Sequence, residues 1–295
     1  MIANPPLVSI ITITYNRGEL IHRCIESIQR QTYQNYEHII VDGNSSDDTE
    51  RIVKSYNDSH IKYIKLNMNG CSYQMKEGSK IAKGKYVTFL DDDDEYLPDK
   101  IEKQVAKFET LSEEYGIVYC WMTYFDSKNP DVPIHIHKHE LRGDVHVEAV
   151  TGPNISGTPT LMVRNSVFQE FGGTYNDNCG LTGSDWELCA RICQKYKVDY
   201  VPESLIKIYV NHGGTRLTTD IQKQQRIVFA KYFLETFKNV FEEDFKRAKN
   251  HVYDICSYSA ELARYRELFH YYPLLIKTKP TLREIIVPLV KCIVK

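Results

Sequence analysis

The sequence predicts an α/β fold: a mostly parallel central sheet flanked by helices, followed by a helical C-terminal extension. Three observations carry this. Short apolar, β-branched runs alternate with amphipathic stretches through residues 1–115, the pattern of right-handed βαβ units and a parallel sheet. Over 116–210 strand-like runs follow one another with a single clear helix between them, so antiparallel strands are expected to join the sheet. From 217 onward the text reads as helix, and the charge changes sign: residues 221–295 carry a net +6, leaving −8 for the rest of a chain whose total is −2.

The elements follow in order. LVSIITIT (7–14) is a strand buried on both faces. Leu20, Cys24, Ile25 and Ile28 form a helical stripe within 19–31. YEHIIVD (36–42) is a second strand, and Ser45-Ser46-Asp47-Asp48 opens a helix over 47–56. IKYIKL (61–66) is a third strand and 72–82 a helix. KYVTFL (85–90) is a fourth strand, ending in Asp91-Asp92-Asp93-Asp94. A longer helix starts near Pro98, a good first-turn residue, and runs to Glu114. Strands are expected at 116–125, 135–141, 158–164 and 198–210, a helix at 185–196, and long helices at 217–238 and 241–270. The domain reading is a nucleotide-binding half (1–115) and an acceptor half (116–215) of one domain, then a helical extension (216–295).

Composition narrows the function. With 42% hydrophobic and 26% charged residues the chain is ordinary globular protein. A net charge of −2 argues against broad electrostatic binding to nucleic acid. No apolar run reaches the roughly 18–20 residues of a membrane helix. Met1–Pro6 shows no signal-peptide pattern, so a cytoplasmic location is expected. The eight cysteines, at 24, 71, 120, 179, 189, 193, 256 and 292, contain no C-x-x-C pair and read as reduced thiols packed as small hydrophobes.

In a parallel sheet, ligands bind beyond the carboxyl ends of the strands. Thr14-Tyr15-Asn16, Asp42-Gly43-Asn44-Ser45 and Asp91–Asp94 all fall at such ends, so polar and acidic residues collect at one rim. Two carboxylates ~5 Å apart repel by ~3 kcal/mol at an effective dielectric near 20. A divalent cation removes that cost, and an oxygen-only set suits Mg²⁺ or Mn²⁺. The competing reading is a solvated acidic loop, or acids favouring the N-terminus of the next helix. Asp42 likewise reads as recognition of a base or ribose, or as turn and cap chemistry.

Four segments taken together, VSIITITYNR (8–17), YEHIIVDGNSSDDT (36–49), AKGKYVTFLDDDDEYLPDKIEKQ (82–104) and GSDWELCARI (183–192), resemble glycosyltransferase family 2, the inverting group with the GT-A fold. The resemblance covers residues 1–215, and the Val41-Asp42-Gly43 form is similar to members that build O-antigen and capsule. It implies a metal-dependent transfer of a sugar from a nucleotide-sugar, a UDP-sugar, to a glycan or lipid-linked glycan in surface polysaccharide biosynthesis. Thr14, Tyr15 and Asn16 would line the nucleotide pocket with Arg17 at its rim, and Asp42 would bond the uracil ring. Asp91 and Asp93 match the family's Asp-x-Asp, with Asp93 on the metal and Asp91 on the ribose; Asp92 could substitute for either. Asp185 falls where the family keeps its catalytic base. Where relatives carry an Arg-Asn pair, this chain has Met75-Lys76, and Lys76 is a less directional replacement.

Other residues keep two readings. His212, in YVNHGGTR (209–216), completes a metal shell or makes a structural hydrogen bond in a loop. Arg216 reaches a phosphate or is a solvated cation. His135, His137 and His139 alternate on an exposed edge, or border the acceptor. Trp186 stacks on an acceptor sugar or is core. The tail at 281–294 has Leu282, Ile285, Ile286, Leu289 and Ile293 near one helical face, interrupted by Pro288, with net +4 from Lys277 onward. It is a peripheral contact with the inner face of the plasma membrane, or a helix docked on the body or on a second copy. Two rivals to the transferase stand: a nucleotidyltransferase-like enzyme, against which the absence of G-x-x-x-x-G-K-[ST] counts, and a carbohydrate-binding protein without turnover.

Overall fold

The computed structural model describes residues 5–152, 155, 157–174, 176, 184–211 and 219–293. His212, Arg216, Gly183 and Cys179 lie outside them. The chain divides into two compact units. The first holds 1–145, 154–175 and 188–214, the second 146–153, 176–187 and 215–295.

The strands are β1 (Val8–Thr14), β2 (Tyr36–Asp42), β3 (Ile61–Lys65), β4 (Tyr86–Phe89), β5 (Glu95–Tyr96), β6 (Tyr115–Asp126), β7 (Asn129–His137), β8 (Met162–Arg164) and β9 (Lys197–Val210). Among the described residues they form one sheet in the first unit, in the order β3-β2-β1-β4-β8-β6-β9-β5, with β7 paired off that path to residues 122–126 of β6. β1 pairs in parallel with β2 and β4, β2 with β3, and β6 with β9. β8 runs antiparallel to β4 and β6, β7 to β6, and β5 to β9. β2 is buried throughout and β1 almost throughout, as central parallel strands covered on both faces must be. β1 connects onward to β2 on one side and receives β4 on the other. The chain therefore reverses its direction of winding at β1, and the ends of β1 and β4 open onto the crevice that this reversal leaves.

The helices are α1 (Ile21–Gln29), α2 (Thr49–Ser55), α3 (Cys71–Ile81), α4 (Lys100–Phe108), α5 (His146–Thr151), α6 (Asn165–Glu170), α7 (Ser184–Ile192), α8 (Thr219–Thr236), α9 (Lys238–Glu243), α10 (Lys249–Glu261), α11 (Tyr265–Lys277) and α12 (Leu282–Ile293). α3 lies close on the sheet because Gly78 has no side chain. A Cβ there would come within 3.0 Å of Ile11 and Val41.

Several expectations change in detail. The fourth helix begins at Lys100 and stops at Phe108, so Pro98 precedes it, and the two-residue β5 occupies the space before. The stretch expected as one helix over 241–270 is α9's last turn, a 3₁₀ turn at Phe245–Ala248, α10 and part of α11. Ala263 breaks α10 from α11 by taking φ 57°, which lets the Arg264 N–H donate to the Ser259 carbonyl at 2.8 Å, a left-handed helix ending. Pro288 does not end the tail helix but sits inside α12. Among the described residues no cysteine is in a disulfide, and Cys24, Cys120, Cys189, Cys193 and Cys256 are buried while Cys71 is exposed.

Candidate active site at the carboxyl ends of the strands

Three turns of the first unit build the rim. Beyond β1, Tyr15 is 44% exposed and Asn16 takes φ 52°, a conformation asparagine tolerates better than most side chains. The Asn16 N–H donates to Ser45 Oγ at 2.8 Å, and its side-chain carbonyl accepts from the Ser46 N–H at 2.8 Å. The β1 and β2 turns are thus cross-stitched. Gln74 on α3 ties the same strands from below. Its amide donates to the Thr14 and Val41 carbonyls, both at 2.9 Å. Gln74 was not singled out by the sequence reading, because a buried glutamine in a helix has no spacing signature.

Asp42 ends β2 fully buried. Its Oδ1 accepts from the Ser45 N–H at 2.7 Å and its Oδ2 from the Tyr63 hydroxyl. Burial and the Asp42 carboxylate push the Tyr63 phenol far above its ordinary value. The turn chemistry is therefore real. Gly43 must follow, since a Cβ there would meet Asn69 Oδ1 at 2.8 Å and Gln74 Oε1 at 2.9 Å.

The four aspartates after β4 alternate. Asp91 and Asp93 are partly exposed, while Asp92 and Asp94 are buried. Asp94 Oδ1 accepts from the Tyr209 N–H of β9 at 3.0 Å. Burial, then the charges of Asp91 and Asp93, hold the Asp94 carboxyl well above the usual range. Asp92 is pushed up to about 7 by burial and by Asp93, against the opposing pull of the Thr14 hydroxyl and Arg17. The Arg17 guanidinium lies 2.5 Å from Asp93 Oδ2 and 3.6 Å from Asp92 Oδ1. Burial works against its charge, yet Asp92 and Asp93 outweigh that and raise its pKa. Arg23 donates to the Asp93 carbonyl at 2.9 Å and stacks 3.7 Å above the Tyr209 ring. Arg23, Tyr209 and Asp94 together fix the acidic turn. The sequence reading missed these three roles, since they depend on a contact between α1 and β9 that no local pattern announces.

Among the described residues no three His, Cys, Asp or Glu side chains converge as a complete metal shell. Asp91 and Asp93 nevertheless fit a hard cation that keeps much of its shell for water and substrate phosphate, as Mg²⁺ commonly does. They are carboxylates, partly open, and crowded by like charge.

In the second unit, Asp185 stands partly exposed in the first turn of α7, where unpaired backbone N–H groups favour an anion. Trp186 does not stand open as an acceptor platform. It is 5% exposed, packs against Phe229, Phe233 and His251 at ring separations of 5.0–5.2 Å, and donates its indole N–H to the Ala149 carbonyl at 2.5 Å. Its ring is committed to core packing, which leaves no face for a sugar. In the first unit, His135 and His137 lie on the exposed edge strand β7 with His139 just beyond it. His135 stacks on Tyr124 at 4.5 Å, and the rings of His137 and His139 meet edge-on at 4.3 Å. Lys76 is exposed on α3 while Met75 is buried.

A sheet of this topology with acid turns at its carboxyl rim defines an α/β protein of the GT-A kind. The glycosyl transferase family 2 model matches residues 9–170, and the chain belongs to that family. It is 32% identical over 217 residues to an uncharacterized glycosyltransferase of Rickettsia prowazekii, covering 72% of this chain and 67% of that one. It is 44% identical over 124 residues to the Escherichia coli UDP-Glc:alpha-D-GlcNAc-diphosphoundecaprenol beta-1,3-glucosyltransferase WfaP, covering 42% and 48% respectively. Among solved structures, a mannosyltransferase from Pyrobaculum calidifontis in complex with GDP-Man and Mn²⁺ superposes with a TM-score of 0.62 at 16% identity, over 99% of this chain and 88% of that one. The last likeness speaks to the fold. The chain is a glycosyltransferase by family.

Proposed function

We propose that this protein transfers a sugar from a UDP-sugar, with inversion, to a glycan or lipid-linked glycan acceptor in surface polysaccharide biosynthesis. The observation that carries the reading is the alternation at the end of β4, where Asp91 and Asp93 are left partly open while Asp92 and Asp94 are buried. That alternation favours Asp91 and Asp93 as the functional pair of the Asp-x-Asp motif. Support for the donor and acceptor comes from WfaP, whose name specifies UDP-Glc and a diphosphoundecaprenol-linked acceptor.

Thr14, Tyr15 and Asn16 line the nucleotide pocket, with Arg17 at its edge. The open Tyr15 ring offers a stacking face for a base. Asp42 faces the uracil, with an orientation set by Ser45 and Tyr63. Asp91 reaches the ribose, with the buried Asp92 as its alternative, and Asp93 with His212 would hold the cation. A Mg²⁺ or Mn²⁺ held there would supply the charge that offsets the departing diphosphate. Arg17, which pairs with Asp93, also meets a phosphate of the donor. Asp185 takes the proton from the acceptor hydroxyl as its oxygen attacks the anomeric carbon. No covalent intermediate is needed, because inversion takes one displacement.

A thermal-shift panel tests this. UDP, GDP, CDP, dTDP and their sugars are each added with and without Mn²⁺ or Mg²⁺. Binding to the native state raises the melting temperature, by ~2.7 kcal/mol of added stability at a ligand concentration ~100 times Kd. The expected result is a cation-dependent shift for UDP and one UDP-sugar. A shift confined to GDP would replace the donor, and a shift that ignores the cation would remove the metal from the reading.

A further inference from the structure

The second unit carries a surface that the transfer reaction does not use. On α11, Phe269 is 60% and Ile276 45% exposed, seven residues and so two turns apart on one side. On α12, Leu282 is 72%, Ile286 44% and Val290 47% exposed, at four-residue spacing. Core packing accounts for none of these five. The two helices are held together by the Tyr272 hydroxyl, which donates to the Ile285 carbonyl at 3.0 Å. Thr281 and Glu284 form a reciprocal cap that starts α12: the Thr281 N–H donates to the Glu284 carboxylate at 2.6 Å and the Glu284 N–H to Thr281 Oγ1 at 3.3 Å.

Charge decides what such a face can meet. Across 263–290 the exposed charged side chains are Arg264, Arg266, Lys277, Lys279 and Arg283, all cations. The acids of that stretch are turned away. Glu267 pairs with Lys231 and, at 2.9 Å, with Arg264. Glu284 is taken up by its cap and by Lys249 at 3.3 Å. Arg264 shares Glu267, but the cations of the stretch still outnumber its acids, and apolar side chains interleaved with cations in excess are the pattern of a helix that lies in an anionic bilayer interface. A second copy of the chain is a poor occupant, since a two-fold contact would bring five cations against five. Among the described residues no helix is long and apolar enough to cross a membrane, so contact would be at the surface.

We propose that α11 and α12 bind an anionic lipid surface, with Phe269, Ile276, Leu282, Ile286 and Val290 entering the interface and the surrounding Lys and Arg meeting lipid phosphates. The binding does not depend on the sugar-transfer reading, and its failure would leave that reading standing.

The test uses the full chain and vesicle sedimentation. Phosphatidylglycerol–phosphatidylcholine vesicles are compared with pure phosphatidylcholine, at ~0.1 M and ~0.5 M salt, where screening differs strongly. The expected result is co-sedimentation with the anionic vesicles, at least about tenfold weaker in high salt or on neutral lipid. A Phe269→Glu, Leu282→Glu double variant, altered only at exposed positions, should bind at least about tenfold more weakly with an unchanged melting temperature and unchanged UDP-induced shift. Equal binding to both vesicle types, or a double variant that binds as the parent does, overturns the proposal. So does a dimer in sedimentation velocity that the double variant dissociates, which would assign the face to a second copy.

Discussion

The carboxylates of the two units are treated differently. In the helical unit, Glu267, Glu284 and Glu261 each have a lysine or arginine at ion-pair distance. Such pairs, partly in solvent, are worth little individually, but they leave none of these three acids without a cation beside it. After β4, by contrast, four aspartates occupy consecutive positions, and Asp92 and Asp93 share one guanidinium, that of Arg17. Asp92 is pushed up to about 7 as a consequence of burial and of Asp93. A fold gains no stability by crowding acids in this way. Where it keeps them crowded, the arrangement is suited to a cation or a ligand that is not part of the chain.

The largest expected effect sets two neighbours on one helix against each other. Asp185 is partly exposed in the first turn of α7. Glu187, two residues on, is fully buried and accepts from the Tyr232 hydroxyl at 2.9 Å. Asp185→Asn should cut sugar transfer by about 10³- to 10⁴-fold while UDP still raises the melting temperature as in the parent. Glu187→Gln should act the other way, lowering the melting temperature more than the rate. Undiminished transfer in Asp185→Asn would show that the base lies elsewhere.

Trp186 sharpens the contrast between open and buried rings. Tyr15 stands open at the rim, whereas Trp186 is packed among Phe229, Phe233 and His251. Trp186→Ala should therefore destabilise the protein by about 3–5 kcal/mol, the cost of removing a large ring from a core, read as a fall in urea midpoint. If stability instead holds and the acceptor KM alone rises, the tryptophan is a sugar platform after all.

What could be read in advance follows physical range. β1, β2 and β3 are legible within a residue or so because parallel central strands need unbroken apolar runs and because turn chemistry at Asn16 and Asp42 marks their ends. The rim was legible for the same reason: strand ends and ligand sites coincide in such sheets. The supports of the rim were not. Arg23 reaches Asp93 across 70 positions and Tyr209 reaches Asp94 across 115, and neither distance leaves a periodicity. β5 is two residues long and depends wholly on its partner β9. In the helical unit, the end of α9, the 3₁₀ turn, α10 and the start of α11 read as one helix because the breaks at Asp244 and Ala263 use residues with no strong stop signal, in place of glycine or proline. The orientation of Trp186 was equally hidden, since an aromatic residue beside a candidate base fits a core and a sugar site alike.

The smallest expected effect compares the two units through one buried histidine in each. His38 on β2 is buried against Thr12 Oγ1 at 3.0 Å, and His251 on α10 lies 3.0 Å from the Val150 carbonyl within the aromatic cluster. Burial lowers their pKa values from 6.5 to about 3 and about 4. Both are neutral in the folded state near neutrality, and the unfolded chain takes up their protons first as pH falls. Stability is therefore present above about 6.5 and is lost as pH drops toward the folded values. At pH 5 each histidine should cost ~2 kcal/mol relative to neutral pH. In urea melts at pH 7.5 and 5, His251→Phe, whose ring suits the surrounding aromatics, should lose ~2 kcal/mol less than the parent between the two pH values, a difference in which the opposing titration of Asp92 cancels because both chains carry it. His38→Gln should differ from the parent by a similar amount. If His38→Gln loses as much as the parent, His38 is reached by water in the folded state, and the sheet of the first unit is more open beneath its rim than its packing indicates.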